Sequence, residues 1–157
     1  MKDIAMTQMP KKMVENSGDI SLYRAVQQAV SDLPKVLEYA EAGALEVIRV
    51  NEKRFRQVLD PVEELIKQGA NIYQRDMQEK SALDVVEMAI NAQQKVLTDW
   101  EESKGYVPYK YSESNKCKQL KNVYERFKKE IIHQQLIQNA IQNAFVYMDR
   151  EEFYMGN

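Results

Sequence analysis

The chain reads as an all-α domain, and three observations predict it. Apolar residues recur at spacings of three and four along most of the sequence, the period of one helical face. Five glycines and four prolines are all that interrupt 157 residues, too few for the turn-punctuated alternation of a β-sandwich or barrel. The stretch from Ser114 to about Arg150 contains neither residue type and keeps the helical rhythm throughout. With 44% hydrophobic residues at this length the chain can bury one core and is short for two. A flexible segment 1–18 and a single helical domain 19–157 are therefore expected.

The elements follow in order. Beyond a break at Ser17-Gly18, Leu22, Ala25, Val26 and Ala29 share one face of a short helix. Ser31 and Asp32 are cap-type residues ahead of Pro34, which a first helical turn tolerates, and Val36, Leu37 and Ala40 carry the rhythm to a stop at Gly43. Leu45, Ile48, Phe55, Val58 and Leu59 predict a helix, while Val47 and Val50 also allow a short strand over its first six residues. Asp60-Pro61 has the form of a helix start, with Val62, Leu65 and Ile66 as its stripe and Gly69 as its end. After the polar stretch 71–80, Ser81 caps a long helix marked by Leu83, Val86, Ala89, Ile90, Val96, Leu97 and Trp100 as far as Ser103. The tyrosine-rich GYVPYKY turns the chain. Leu120, Val123, Phe127, Ile131, Ile137, Ile141, Ala144 and Met148 then mark a last helix of about 50 Å.

The segment Val62 to Ala89, VEELIKQGANIYQRDMQEKSALDVVEMA, resembles the junction between two ankyrin repeats. In that family an outer helix ends in Gly-Ala-Asp, a finger loop follows, and Thr-Pro-Leu-His-x-Ala opens the next inner helix. The matching residues are Gly69-Ala70-Asn71, Asp76 and Ser81-Ala82-Leu83-Asp84. Leu22-Tyr23-Arg24-Ala25, Asp32-Leu33, Val36-Leu37 and Gly43-Ala44 look like a second, more divergent copy. The helix-ending glycine serves a left-handed backbone that a side chain penalises.

The two Gly-Ala signals lie 26 residues apart, against a family period of about 33. Glu79 stands where the finger-loop glycine is expected, Ala82 replaces proline, Asp84 replaces histidine and Val86 replaces a small alanine. The resemblance implies degenerate ankyrin-like helix pairs over residues 19–92, capped by a long antiparallel helical hairpin over 93–152. Generic helical hairpins ending in glycine are the other reading of the same residues.

Composition argues against catalysis. One cysteine excludes an internal disulfide or a thiolate zinc cage, and one histidine removes most imidazole metal sites. On a single helix Cys117 and His133 would stand about 24 Å apart, too far for a dyad. Cys117 reads as a core residue beside Leu120. Glu63-Glu64, Glu101-Glu102 and Glu151-Glu152 are adjacent pairs that splay about 100° apart on helices. The glycines never cluster into a phosphate loop. No enzyme, no metal and no cofactor are expected.

Lys and Arg total 22 against 24 Asp and Glu, so no global field recruits a polyanion. Residues 104–129 nevertheless carry a formal +6, with Tyr106, Tyr109, Tyr111, Tyr124 and Phe127 interleaved, as in nucleic-acid binders. Lys116, Lys121, Arg126 and Lys129 are the polyanion-binding candidates. A solvated face, or a contact with an acidic protein surface, is the competing account.

The amino-terminal segment lacks the apolar run of a secretory signal, so a cytoplasmic protein is expected. Residues 131–148 are uncharged with His133 neutral, yet Gln134, Gln135, Gln138, Asn139, Gln142 and Asn143 exclude a membrane span. Those amides form either an exposed helix face or an interface across which they pair, within the chain or between copies of a homo-oligomer. The final EEFYMGN reads as a frayed helix end, and short acidic tails of this kind also resemble export signals of bacterial effectors delivered to host cells.

Protein–protein recognition by an adaptor or regulator is the expected function, with a small nucleic-acid-binding regulator as the alternative. By resemblance to the family, the finger loop supplies the contacts. Tyr73, Gln74, Arg75, Met77 and Gln78 are the partner-binding candidates, and Tyr, Arg and Met are enriched at interfaces.

Overall fold

The computed structural model describes residues 11–42, 45–103 and 110–155, with side chains over 21–39, 47–102 and 114–146. The chain is predominantly helical: α1 (Lys11–Asp32), a 3-10 turn (Leu33–Val36), β1 (Leu37–Ala42), β2 (Leu45–Val50), α2 (Glu52–Lys67), α3 (Ala82–Ser103) and α4 (Lys110–Met155). Among the described residues no helix is long and apolar enough to cross a membrane.

The four helices enclose one core. α1 packs on α2 and α3, and α4 packs on the same two. Leu22 and Val26 of α1, Phe55, Leu59, Val62 and Ile66 of α2, Val86 of α3 and Val123, Phe127 and Ile131 of α4 meet there, all essentially without solvent contact. Each set follows the spacing of three and four that the sequence displays. Lys128 of α4 bonds Glu87 of α3 at 3.3 Å, and Cys117 meets Gln93, so later residues of α4 lie against earlier residues of α3.

Three local expectations are corrected. α1 runs without interruption through Gly18, where a break was expected. The helix expected from Pro34 to Gly43 is instead a 3-10 turn leading into β1, which pairs antiparallel with β2 in the register Leu37↔Val50, Tyr39↔Ile48. Leu37 and Val36 are buried either way, so their spacing did not discriminate. The β-branched run Val47-Ile48 and Val50, which suits a pleated surface, decides in favour of strands. Glu38 and Arg49 pair across the opposite face at 3.0 Å. The chain is thus not purely α, and the upstream stretch likened to a second repeat holds a turn and a strand where an outer helix would stand. The stop at Gly43-Ala44 and the Gly105–Pro108 turn lie outside the described residues.

The third correction concerns Asp60-Pro61, which lies inside α2 instead of starting a helix. α2 begins at Glu52 and is capped by Asn51, whose side chain accepts from the Arg54 amide at 3.1 Å. Phe55, Leu59, Val62 and Ile66 form one unbroken stripe, and Pro61 sits on the exposed side. The proline removes one intrahelical bond, but it does so where water can reach the freed backbone.

Candidate functional site

The segment between α2 and α3 is built almost entirely from its own hydrogen bonds. Just past the end of α2 at Lys67, Gly69 takes φ +108°, with the Gly69 amide donating to Ile66 O and the Ala70 amide to Leu65 O, both at 3.0 Å. This is the left-handed glycine stop that the sequence predicts. The Asn71 side chain then accepts from the Tyr73 amide at 2.8 Å, turning the chain outward.

Beyond it, a tight turn closes between Asp76 and Lys80. The Asp76 amide donates to Lys80 O at 2.9 Å, while the Asp76 carboxylate accepts from the amides of Gln78 at 2.8 Å and Lys80 at 2.9 Å. Glu79 takes φ +62° inside this turn. That is a backbone glycine would favour.

Two anchors hold the loop to the body. Ile72 is fully buried, its amide donates to the Gln135 side chain of α4 at 3.0 Å, and its carbonyl accepts from the Leu83 amide at 3.2 Å. Arg75 donates to Glu79 O at 2.6 Å and reaches the Asp84 carboxylate at 3.4 Å. Asp84 also accepts from the Ser81 amide at 2.9 Å while its own amide donates to Ser81 Oγ at 3.2 Å, a reciprocal cap on α3.

All five candidate residues of the loop are exposed, though they divide by task. Arg75 braces the turn. Tyr73 is half exposed and Met77, at the tip, is fully exposed, so their apolar surface faces water. Gln74 and Gln78 flank them. The sequence places Gln135 among the amides of a candidate interface but does not show its bond to Ile72, nor the structural work of Asp76 and Glu79; the Ser-x-x-Asp spacing is the visible sign of the cap.

The basic segment is engaged locally. Arg126 donates to both carboxylate oxygens of Glu52, at 3.0 and 2.6 Å, and stacks 4.1 Å from the Phe55 ring centroid. That pairing pulls the Glu52 carboxyl below its ordinary range and lifts the guanidinium. Lys121 pairs with Glu125 at 3.5 Å, and Lys116 lies 5.1 Å over the Tyr39 ring. Lys129 is exposed. Lys104, Tyr106 and Tyr109 lie outside the described residues.

Cys117 is buried and its thiol points at the Gln93 side-chain oxygen, 3.0 Å away, with burial raising its pKa. His133 is exposed. Glu63 bonds Arg56, whereas Glu64, Glu101 and Glu102 are exposed; Glu151 and Glu152 have no described side chains. Among the described residues no group of three or more His, Cys, Asp and Glu is placed to hold a metal ion. Within the amide-rich run, Gln134 and Gln135 are buried, while Asn139, Gln142 and Asn143 are exposed.

No family model, no curated protein and no solved structure matches this chain.

Proposed function

We propose that the protein is a recognition module that docks a partner protein through the loop 71–80, and that it performs no chemistry of its own. One observation carries the reading: a loop whose backbone is fixed by Asp76, Arg75, Asn71 and Gln135 presents Tyr73 and Met77 to solvent. A loop ordered before binding pays little entropy on docking, and exposed aromatic and thioether side chains on a rigid base are what interface anchors require. The ankyrin-like account of the α2–loop–α3 junction agrees with the glycine stop and with the turn at Asp76–Lys80. In this reading α3 and α4 form the long antiparallel hairpin that supports the loop.

The nucleic-acid alternative is weakened by the engagement of Arg126, Lys121 and Lys116 with neighbours of the same chain. Salt-dependent retention on a polyanion column would revive it.

The test starts from capture of partners on the full chain, with identification by mass spectrometry. Affinity for the captured protein is then measured for wild type and for the double variant Tyr73→Ala, Met77→Ala. Binding should weaken by ~30-fold, as for loss of an interface anchor, with unchanged helicity and melting. Unaltered affinity removes the loop from the interface. Arg75 is left intact because its replacement would loosen the turn itself.

A further inference from the structure

Between α1 and α2, beside the 3-10 turn, lies a groove of about 420 Å³. Its floor is apolar and short of side-chain volume. Ala25 and Ala29 stand one turn apart on α1, Val36 comes from the 3-10 turn, and Val58 comes from α2. Ala29 and Val36 are buried, whereas Ala25 and Val58 keep part of their surface open.

The rim carries the charge, and only its cations have capacity to spare. Asp32 is already satisfied: Gln28 donates to both of its oxygens, at 3.2 and 3.1 Å, and the Lys35 ammonium lies 3.5 Å away. Glu38, whose carboxylate also feels the charge of Arg54, is held by Asn51 at 2.6 Å and Arg49 at 3.0 Å. Arg54 itself is exposed, and among the described residues its one side-chain hydrogen bond runs from Nη1 to Lys35 O at 3.3 Å. A guanidinium oriented by one bond, with its other donors in water, is ready to take a carboxylate.

The backbone adds an acceptor. Pro61 has no amide hydrogen, so Gln57 O lacks its usual intrahelical donor, and both residues line the groove.

The geometry points to this groove as the seat of an extended acidic–aliphatic segment of a partner protein. An aliphatic side chain fills the space over the two alanines, a carboxylate two residues away pairs with Arg54, and a peptide N–H donates to Gln57 O. Packed helices lie about 8–10 Å apart and a helix is itself about 10 Å across, so a single strand can enter here and a third helix cannot. Arg54 and Val58 are one turn apart, about 6 Å along α2. Alternate residues of a strand share a face and are ~6.6 Å apart, which matches that separation. The surface is separate from loop 71–80, no residue of which lines it.

Chemical-shift titration of the full chain tests the assignment. The probe is the peptide Glu-Ser-Leu-Ser-Glu, blocked at both ends, which offers a carboxylate two residues from the leucine in either chain direction. Saturable shifts are expected at Ala25, Ala29, Val36 and Val58, and the control peptides Lys-Ser-Leu-Ser-Lys and Glu-Ser-Gly-Ser-Glu should not produce them. Arg54→Gln should weaken the probe by about tenfold, the loss of a charged hydrogen-bond partner. Ala25→Leu fills the floor, leaves the cations in place and should block binding. Pro61→Ala restores the helical bond, so it should raise the melting temperature and yet weaken the probe several-fold, a loss that a merely structural proline would not bring. The assignment falls if the probe gives no saturable shift, if the lysine peptide binds as well, or if any of the three variants binds the probe like wild type. It falls equally if raising the protein concentration alone shifts the same signals, since a second copy would then be the occupant.

Discussion

The side-chain oxygen of Gln135 accepts a hydrogen bond from the backbone amide of Ile72 at 3.0 Å, joining positions 63 residues apart. Both groups are buried, and Gln135 spends its amide nitrogen on Asn139 Oδ1 at 3.0 Å. One side chain of α4 thereby fixes where the loop leaves the core.

Gln135→Met keeps the size of the side chain and removes the acceptor. The Ile72 amide is then left buried without a partner, which costs ~1–3 kcal/mol. Urea unfolding should report that loss, and amide exchange should quicken at Ile72 before it does in α2. A variant as stable as wild type would show that water replaces the glutamine.

Glu79 holds φ +62° in the turn, a backbone that carries a penalty of ~1–2 kcal/mol for a residue with a side chain. Glu79→Gly relieves it and gives back part in chain entropy, for a net gain of ~0.5–1 kcal/mol. A higher melting temperature with partner affinity intact is the expected result. Destabilisation would mean that the carboxylate supports the turn in some other way.

Ser81→Ala removes the acceptor for the Asp84 amide and half of the reciprocal cap. A loss of ~1 kcal/mol is expected in thermal or chemical unfolding. Asp84→Asn should also release Arg75 from its carboxylate, so the double variant should lose less than the two single losses combined.

Glu52 lies below its ordinary carboxyl pKa of 4.5, chiefly because Arg126 donates to it. A lowered folded-state pKa contributes stability that is present above the unfolded value and disappears as pH falls through the folded one. Melting temperature should therefore drop more steeply with acidification in wild type than in Glu52→Gln, the two curves converging at the acid end. Parallel curves would show that the pair contributes nothing to folding.

How much of this was legible depends on what each residue leaves in the sequence. α3 was readable at both ends, from Ser81 as a cap and from the apolar stripe that fades at Ser103, and Gly69 announced its own backbone. The β-hairpin was half hidden because Val36, Leu37 and Ala40 fit a helical period by coincidence, and only Val47, Ile48 and Val50 hinted at strands. Pro61 misled because its local meaning as a helix start is strong, while the stripe from Phe55 to Ile66 that overrides it is a tertiary effect. The exposure of Tyr73 and Met77 followed from the polarity of their surroundings. The amides of 131–148 announce a candidate interface but not the Gln135 bond to Ile72, since nothing in the sequence says which amide the fold brings beside the loop.

The burial of Cys117 between α3 and α4 has a practical corollary. As the one sulfhydryl in the chain, it is a native spectroscopic clock: a chromogenic thiol reagent can titrate it only when the two helices part, so the rate of colour development measures that opening without any engineered label.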